Sequence, residues 1–179
     1  MAVSPALREV PLARPQAAPC SHADTTLVEL LFFAYRGFTA EPDAILGRLG
    51  FGRAHHRVMH FVTRSPGLRV ADLLEILRIT KQSLARVLRQ LIVEGYIVQQ
   101  PGTQDRRERL LYPTQKGRLL ADQLVSIQIQ KLEQAVDAAG PGADRVARDF
   151  LLALVADVDR RRAMGGSAPA ARGADDQDV

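Results

Sequence analysis

Cysteine is nearly absent from the 179-residue sequence, which contains Cys20 alone. A single cysteine forms neither an intrachain disulfide nor a cysteine-based zinc site, so disulfide scaffolds and zinc fingers are excluded and a cytoplasmic setting is expected. Long apolar runs are also missing: even residues 27–35 are interrupted by Glu29, whereas a membrane span needs about 18 consecutive apolar residues. Charges and prolines break the first 22 residues, so we expect no secretory signal and no membrane partner.

The rest of the composition is that of a folded protein with one core. Hydrophobic residues make up 46% and charged residues 25% of the chain, which is typical of globular proteins. The formal charge of +4 permits a nucleic-acid partner without establishing one. Residues 1–22 are rich in alanine and proline, and 163–179 repeat that character, so we expect flexible tails around one domain at 23–162.

Apolar residues recur at helical spacing through most of this domain. The repeats predict helices at about residues 24–38, 51–64, 70–77, 80–94, 114–138 and 144–161. The turn between the third and fourth helices consists of three residues, 78–80, the last of which is the cap residue counted above with the fourth helix, so this pair forms a helix-turn-helix. Thr80 is suited to cap the fourth helix, and Gly95 is suited to follow its end.

Between the fourth and fifth helices the apolar period changes to that of β-strands. Residues 96–100 and 109–112 are short β-prone runs around a polar segment, which predicts a β-hairpin with a long polar tip. A helix-turn-helix followed directly by a hairpin is a winged helix. We therefore expect a mainly α-helical fold with a small β-hairpin, in which a winged helix at about 51–113 lies between dimerisation helices at about 24–40 and 114–162.

The fourth helix keeps a polar and basic face once its leucines, Leu84, Leu88 and Leu91, are assigned to the core. Glutamine and arginine form paired hydrogen bonds with base edges, whereas lysine and serine near a helix N-terminus suit phosphates. The helix therefore fits a DNA major groove. The predicted DNA contacts on it are Lys81, Gln82, Ser83, Arg86, Arg89 and Gln90.

The basic surplus of the chain is concentrated at residues 78–109. This segment carries seven basic and three acidic residues, so its surplus equals that of the whole chain. Arg106 and Arg107 lie at the hairpin tip, where a guanidinium suits the narrow, electronegative minor groove because it loses less hydration than an ammonium. Ordinary solvated charge is the alternative for any single arginine. Double-stranded DNA is the expected partner.

Residues 68–117 resemble the MarR family of bacterial transcriptional regulators. The likeness rests on the helix-turn-helix, the Glu-Gly-Tyr sequence at 94–96, the Asp-Arg-Arg tip at 105–107 and the Thr-Gln-Lys-Gly sequence at 114–117. The flanking helices extend it over about 24–162. It implies an obligate homodimer in which the first helix and the last two interlock. It also implies a repressor that binds a palindromic operator and is modulated by a small ligand.

The resemblance also assigns roles at the hairpin tip. The arginine at the position of Arg107 enters the minor groove, and the aspartate at the position of Asp105 holds the wing by pairing with a basic side chain. From the residues alone, Asp105 is equally well a turn residue, and Arg106 contacts phosphate or nothing. Two residues depart from the family pattern. Arg78 stands where glycine is common in the tight turn, and Pro113 replaces an aliphatic residue at the end of the hairpin.

Three further groups of residues are candidates for a ligand or sensor site. His56 and His60 have the i, i+4 spacing that binds a metal from one helix face, with hydrogen bonding as the alternative. Cys20 is either a peroxide sensor, as in one branch of the family, or an unpaired thiol. A further set either lines a ligand pocket or packs in the core and dimer interface, namely Tyr35, Phe38, Phe51 and His55.

The sequence indicates neither an enzyme nor a bound cofactor. A nucleophile with its base, a phosphate-binding glycine loop and a carboxylate pair are absent from recognisable motifs. A winged helix used as a protein-interaction module is an alternative, but it would not need Gln82, Arg86 and Arg107 to face outward together. The sequence therefore predicts a sequence-specific DNA-binding transcriptional regulator, with metal or redox sensing by the histidines or Cys20 as a variant of that function.

Overall fold

The structure is a computed structural model that describes residues 22–102 and 105–163, in which the chain forms seven helices and three strands. In chain order these elements are α1 (His22–Arg48), α2 (Arg53–Arg64), β1 (Leu68–Arg69), α3 (Val70–Leu77), α4 (Lys81–Val93), β2 (Ile97–Pro101), β3 (Arg109–Pro113), α5 (Gln115–Ala139), α6 (Ala143–Leu154) and α7 (Asp157–Ala163). Contacts divide the chain within α1 into two units, one ending at Gly37 and the other beginning at Phe38.

Helix α1 is longer than the sequence pattern predicts. The predicted end at Phe38 is wrong, because α1 continues through Pro42 to Arg48. A proline inside a helix removes one backbone hydrogen bond and commonly ends or kinks the helix. Here Pro42 and Leu46 are both fully buried, so the burial of their side chains offsets the lost hydrogen bond.

The predicted helix-turn-helix is confirmed. Helix α3 has the predicted limits, and Arg78 ends it in the left-handed conformation, with φ of +50°. Thr80 then caps α4, because its hydroxyl oxygen accepts a hydrogen bond from the Ser83 N–H at 3.1 Å. Gly95 follows α4 with φ of +74°, which is the usual conformation of a glycine after a helix end.

A third strand, β1, extends the predicted hairpin into a small antiparallel sheet with the order β1-β3-β2. Leu68 of β1 lies opposite Leu111 of β3, and Ile97 of β2 lies opposite Pro113. Strand β1 could not be predicted from the sequence, because two residues are too few to show an alternating pattern. This pairing attaches the start of α3 to the second wing strand.

The Thr-x-x-Gly motif at the start of α5 has a packing reason. The Thr114 hydroxyl oxygen accepts a hydrogen bond from the Gly117 N–H at 3.0 Å and donates one to the Gly95 carbonyl at 2.8 Å. A Cβ atom at Gly117 would collide with the carbonyl oxygen of Tyr96. Glycine at this position therefore lets α5 approach the end of α4 closely.

The hydrophobic core lies within the second unit and is centred on the winged lobe, residues 53–113, together with the first half of α5. Leu84, Leu88 and Leu91 of α4 are buried, as predicted, and Val87 is buried beside them. Helix α5 adds the side chains of Leu120 and Leu124. Burial of one face of α4 leaves its other face available for a partner.

The last predicted helix is interrupted. Helix α6 ends at Leu154, Val155 is extended with ψ of 134°, and α7 begins at Asp157. The guanidinium group of Arg160 donates hydrogen bonds to the Leu152 carbonyl at 3.0 and 2.7 Å. Because a helix end leaves its last carbonyl groups without intrahelical partners, this arginine stabilises the break.

Among the described helices, α1 and α6 each expose four or more large apolar side chains. The part of α1 before Phe38 exposes Leu27, Val28, Leu30, Leu31, Phe32, Phe33 and Tyr35. Helix α6 has no buried residue and exposes Val146, Phe150, Leu151 and Leu154. None of the helices in the described ranges combines the length and apolar character required to span a membrane.

Candidate nucleic-acid interface

The exposed face of α4 carries the predicted base and phosphate contacts. Lys81, Gln82, Arg86 and Arg89 are all exposed. Their side chains form no hydrogen bond or ion pair with residues 22–102 or 105–163. The first turn of α4 contains no acidic residue, so the positive end of the helix dipole is not neutralised locally. This face is suited to bind an anionic, hydrogen-bonding surface.

Two other predicted contacts on α4 have partners within the protein. The Thr80 hydroxyl donates to the Ser83 Oγ atom at 2.9 Å, and the half-buried Ser83 side chain thus belongs to the helix cap. The Gln90 side chain joins α4 to the loop before α2, because its Nε2 group donates to the Gly50 carbonyl at 3.2 Å. The structure therefore gives Ser83 and Gln90 local roles that the sequence did not indicate.

His55 fixes the second hydrogen bond of Gln90. The Gly52 N–H donates to His55 Nδ1 at 3.1 Å, and because a backbone N–H only donates, Nδ1 is unprotonated. The proton is then on Nε2, which donates to Gln90 Oε1 at 2.9 Å. Burial lowers the pKa of His55, and the Phe51 ring stacks on it with centroids 4.8 Å apart. His55 and Phe51 thus help to hold α4 in place.

His56 and His60 lie on the same helix but do not form a metal centre with other described residues. Burial lowers the pKa of both rings, and electrostatic repulsion from His60 lowers that of His56 further. Within the described ranges, no group of three or more histidine, cysteine, aspartate or glutamate side chains is placed to hold a metal ion. The pair therefore lacks the third protein ligand that a metal site of this kind needs there.

The wing tip, residues 105–108, is shaped by Asp105 acting as a turn residue. Its Oδ1 atom accepts a hydrogen bond from the Arg107 N–H at 2.8 Å, and its carbonyl accepts one from the Glu108 N–H at 3.0 Å. The expected pairing of Asp105 with a basic side chain is not found in the described part of the chain. Arg106 and Arg107 are both exposed at this tip.

An ion pair between the wing and the start of α3 involves Arg69 and Glu108 instead. Arg69 binds Asp72 through two nitrogens, at 2.8 and 2.7 Å, and binds Glu108 through a third, at 3.1 Å. Hydrogen bonding to Asp72, and then to Glu108, raises the pKa of Arg69. This contact could not be predicted from the sequence, because 39 positions separate Arg69 from Glu108 and local patterns do not reveal contacts between such distant residues.

A surface hollow of about 470 Å³ lies between α3, α4 and the wing strands. Most of its lining is apolar, and its cationic side chains are Lys81, Arg89 and Arg109. The chemistry of this lining, apolar with cationic groups, would suit a small molecule with an apolar body and an anionic group. The lining residues are Val70, Leu74, Lys81, Leu84, Ala85, Leu88, Arg89, Ile92, Val93, Gln99 and Arg109.

The residues predicted to line a ligand pocket lie elsewhere. Phe51 is buried and packs edge-on against Tyr96, with centroids 5.2 Å apart, so its role here is in the core. Phe38 is half-buried, and Tyr35 is exposed. A ligand site at these residues stays a prediction. Cys20 lies outside the described residues.

The sequence is similar to known regulators. A profile described as the MarR family matches residues 49–108, which contain the helix-turn-helix and most of the wing. The HTH-type transcriptional regulator PetP of Rhodobacter capsulatus is 48% identical over 134 residues, which cover 75% of this chain and 81% of that protein. The similarity therefore extends well beyond the helix-turn-helix.

Solved structures of low sequence identity share the fold. The crystal structure of Streptococcus pneumoniae FabT in complex with DNA superimposes with a TM-score of 0.66 at 20% identity, covering 73% of this chain and 93% of that one. The crystal structure of MarR superimposes with a TM-score of 0.60 at 20% identity, covering 90% of this chain and 99% of that one. These likenesses support a winged helix with flanking helices.

Proposed function

The chain belongs to the MarR family of winged helix-turn-helix transcriptional regulators, and on this premise we propose that it represses genes by binding a palindromic operator as a homodimer. The observation that carries the proposal is the set of cationic and amide side chains on one face of α4 and at the wing tip that have no partner among the described residues. A protein-interaction module would have no need of this arrangement. A DNA duplex offers a groove to each of the two elements.

The proposed DNA contacts divide into two classes. Gln82 and Arg86 project from the first half of α4 and suit hydrogen bonding to base edges, whereas Lys81 and Arg89 suit phosphates. Arg107 at the wing tip suits the minor groove, with Arg106 beside it on phosphate. Gln90 is left out of the set, because His55 and Gly50 occupy its amide.

Homodimerisation is proposed from the exposed apolar side chains of α1 and α6. Soluble monomers rarely expose contiguous apolar patches larger than a few hundred Å². Four large apolar side chains on α6 alone are half-exposed or more. Sedimentation should therefore detect a dimer at micromolar concentration, and Phe150→Asp should weaken it. Val93→Asp alters an apolar side chain that is even more exposed but lies on α4, so it serves as the control; a dimer weakened equally by both variants would contradict the assignment.

The operator is identified by selecting genomic fragments retained by the full-length protein. We expect the retained fragments to share one palindrome, with an affinity that falls with salt at a log-log slope of about −0.9 per phosphate contacted. A scrambled duplex of equal length and composition is the control. A flat salt response, or equal affinity for both duplexes, would overturn the proposal and favour a protein-interaction module.

Reporter transcription from the operator should fall when the protein is present; a rise would overturn repression.

Modulation by a small ligand is proposed from the hollow beside α4. A molecule held there by Lys81 and Arg89 would occupy two side chains that we assign to phosphates, so binding should oppose DNA binding. Benzoate is a suitable probe, because it combines an apolar ring with a carboxylate. It should lower operator affinity of the native protein, and Ala85→Phe, which fills the hollow, should remove that response. An equal response of both proteins would place the ligand elsewhere.

A further inference from the structure

We infer that Arg69 and Glu108 form a clamp that positions the wing tip for DNA, so that Arg107 is presented in a fixed relation to α4. This inference rests on the proposed DNA-binding function and adds a residue pair that acts through Arg107. Asp72 completes this wing clamp by holding Arg69 from the side of α3. Neither Arg69 nor Glu108 needs to touch DNA for the clamp to act.

Arg69 is fixed from the side of the helix-turn-helix. It is the last residue of β1, it lies opposite Leu110 of β3, and its backbone forms the N-cap position of α3. Two of its guanidinium nitrogens bind the two carboxylate oxygens of Asp72, in the first turn of α3, at 2.8 and 2.7 Å. This two-point contact sets the plane of the guanidinium group and leaves a third nitrogen directed at Glu108.

Glu108 is fixed from the side of the wing. Its N–H donates to the Asp105 carbonyl at 3.0 Å, and its own carbonyl accepts a hydrogen bond from the Gly102 N–H at 3.1 Å. Its carboxylate then binds Arg69 at 3.1 Å. Because Glu108 directly follows Arg107, the orientation of the exposed arginine depends on where this residue is held.

The ion pair suits a positioning role better than a stabilising one. The side chains of Arg69 and Glu108 are 43% and 39% exposed, and ion pairs so open to solvent contribute little to folding stability. Glu108 also directly follows the two arginines that we assign to DNA, where its negative charge repels phosphate. The negative charge of Glu108 weakens the long-range attraction to DNA, yet its carboxylate joins the wing to the start of α3. A role in fixing the geometry of the wing accounts for both features.

The decisive variant is Glu108→Gln, for which positioning and simple electrostatics predict opposite results. Removing a negative charge near DNA should tighten binding if charge alone matters. Loss of the clamp should instead weaken operator binding about fivefold, since the tip is no longer held by a charged pair. Glu94→Gln removes an exposed carboxylate from the end of α4 and is the matched control, expected to bind as tightly as the native protein or slightly more so. Equal or tighter binding by Glu108→Gln would overturn the inference.

A coupling experiment shows whether the clamp acts through Arg107. If it does, Glu108→Gln should have no further effect on affinity in an Arg107→Ala background, whereas independent contributions would add. Arg69→Lys keeps the charge but lacks the planar fork, so it should weaken binding as Glu108→Gln does. The midpoint of urea unfolding should be unchanged in both single variants. Additive effects with Arg107→Ala would contradict positioning.

Failure of the inference is distinguishable from failure of the proposed function. Native protein that binds no duplex specifically would overturn the proposed function, and the clamp is then judged in the free protein. Amide hydrogen exchange at Gly102 and Arg107 should be faster in Glu108→Gln than in the native chain, because both N–H groups donate within the wing that the clamp holds. Unchanged exchange at both amides would overturn the clamp.

Discussion

Replacement of Arg78 by glycine should leave the protein more stable than replacement by alanine. Arg78 is the only non-glycine residue of the described chain with a positive φ, at +50°, and it lies in the turn that sets α3 against α4. A side chain in this conformation brings its Cβ close to the following carbonyl oxygen, which costs roughly 1–2 kcal/mol. Glycine removes that cost. It also gives the unfolded chain more freedom, which reduces the gain.

The side chain of Arg78 has a compensating contact that must be separated from the backbone effect. Its guanidinium binds Asp159 of α7 at 3.1 Å, with side-chain exposures of 63% and 38%. A pair this exposed contributes about 0–1 kcal/mol. Arg78→Ala loses the ion pair and keeps the Cβ, whereas Arg78→Gly loses both. The difference between the two variants therefore isolates the backbone conformation, and glycine should exceed alanine in stability by about 1 kcal/mol.

Equilibrium unfolding in urea measures this difference. The three proteins must be compared at one protein concentration, because the stability of a dimer depends on it. If the proteins are unfolded by heat instead, a difference of about 1 kcal/mol in the free energy of unfolding corresponds to a shift of roughly 2–4 °C in Tm for a chain of this size. If Arg78→Ala is as stable as Arg78→Gly, the left-handed conformation carries no cost at this turn and the reasoning is wrong.

Three further predictions follow from the site and the core. Arg107→Ala should weaken operator binding by at least about 1 kcal/mol, and Arg86→Ala should in addition relax base preference. Footprinting of both variants checks this, and unchanged affinity in both would mean that α4 and the wing do not contact DNA. Gly117→Ala should lower the free energy of unfolding in urea by about 1–3 kcal/mol, because the added Cβ would collide with the Tyr96 carbonyl. Stability equal to that of the native protein would show instead that α5 shifts without cost to make room for the Cβ atom. Burial lowers the pKa of the three histidines of α2 in the folded state, so the unfolded chain binds more protons below about pH 6.5 and stability should fall as pH decreases from 7.5 to 5.5. Unfolding midpoints that rise or stay level over this range would contradict it.

Local signals made the winged lobe predictable from sequence. The limits of α3 follow from its apolar period, and α4 is preceded by Thr80 and followed by Gly95, two residues whose capping chemistry is local. What the sequence did not reveal depends on contacts between distant positions. Helix α1 passes Pro42 because that residue is buried, and the last helix breaks where Arg160 supplies donors to the end of α6. Neither contact produces a periodic pattern in the sequence.

The same distinction applies to the candidate interface. The outward face of α4 follows from helical geometry, so Gln82 and Arg86 could be placed without a structure. Gln90 has the same spacing and residue type, yet His55, 35 positions away, occupies its amide. Asp105 was open to two roles from sequence, and the turn geometry gives it one of them while Glu108 takes the ion pair. Side-chain partners across the fold, rather than the face of a helix, decide which polar residues are available to DNA.

Side-chain partners also decide which basic residues at 78–109 are available to attract DNA. Of the seven basic residues at 78–109, Arg78 binds Asp159 and Arg109 donates to the Arg106 carbonyl at 3.5 Å. The other five form no hydrogen bond or ion pair through their side chains with the rest of the described chain, and they are Lys81, Arg86, Arg89, Arg106 and Arg107. The attraction to DNA should therefore be set by these five in each subunit, rather than by the net charge of the chain. Since each phosphate contacted adds about −0.9 to the log-log salt slope, neutralising Arg78 should leave the slope unchanged while neutralising Lys81 should reduce it.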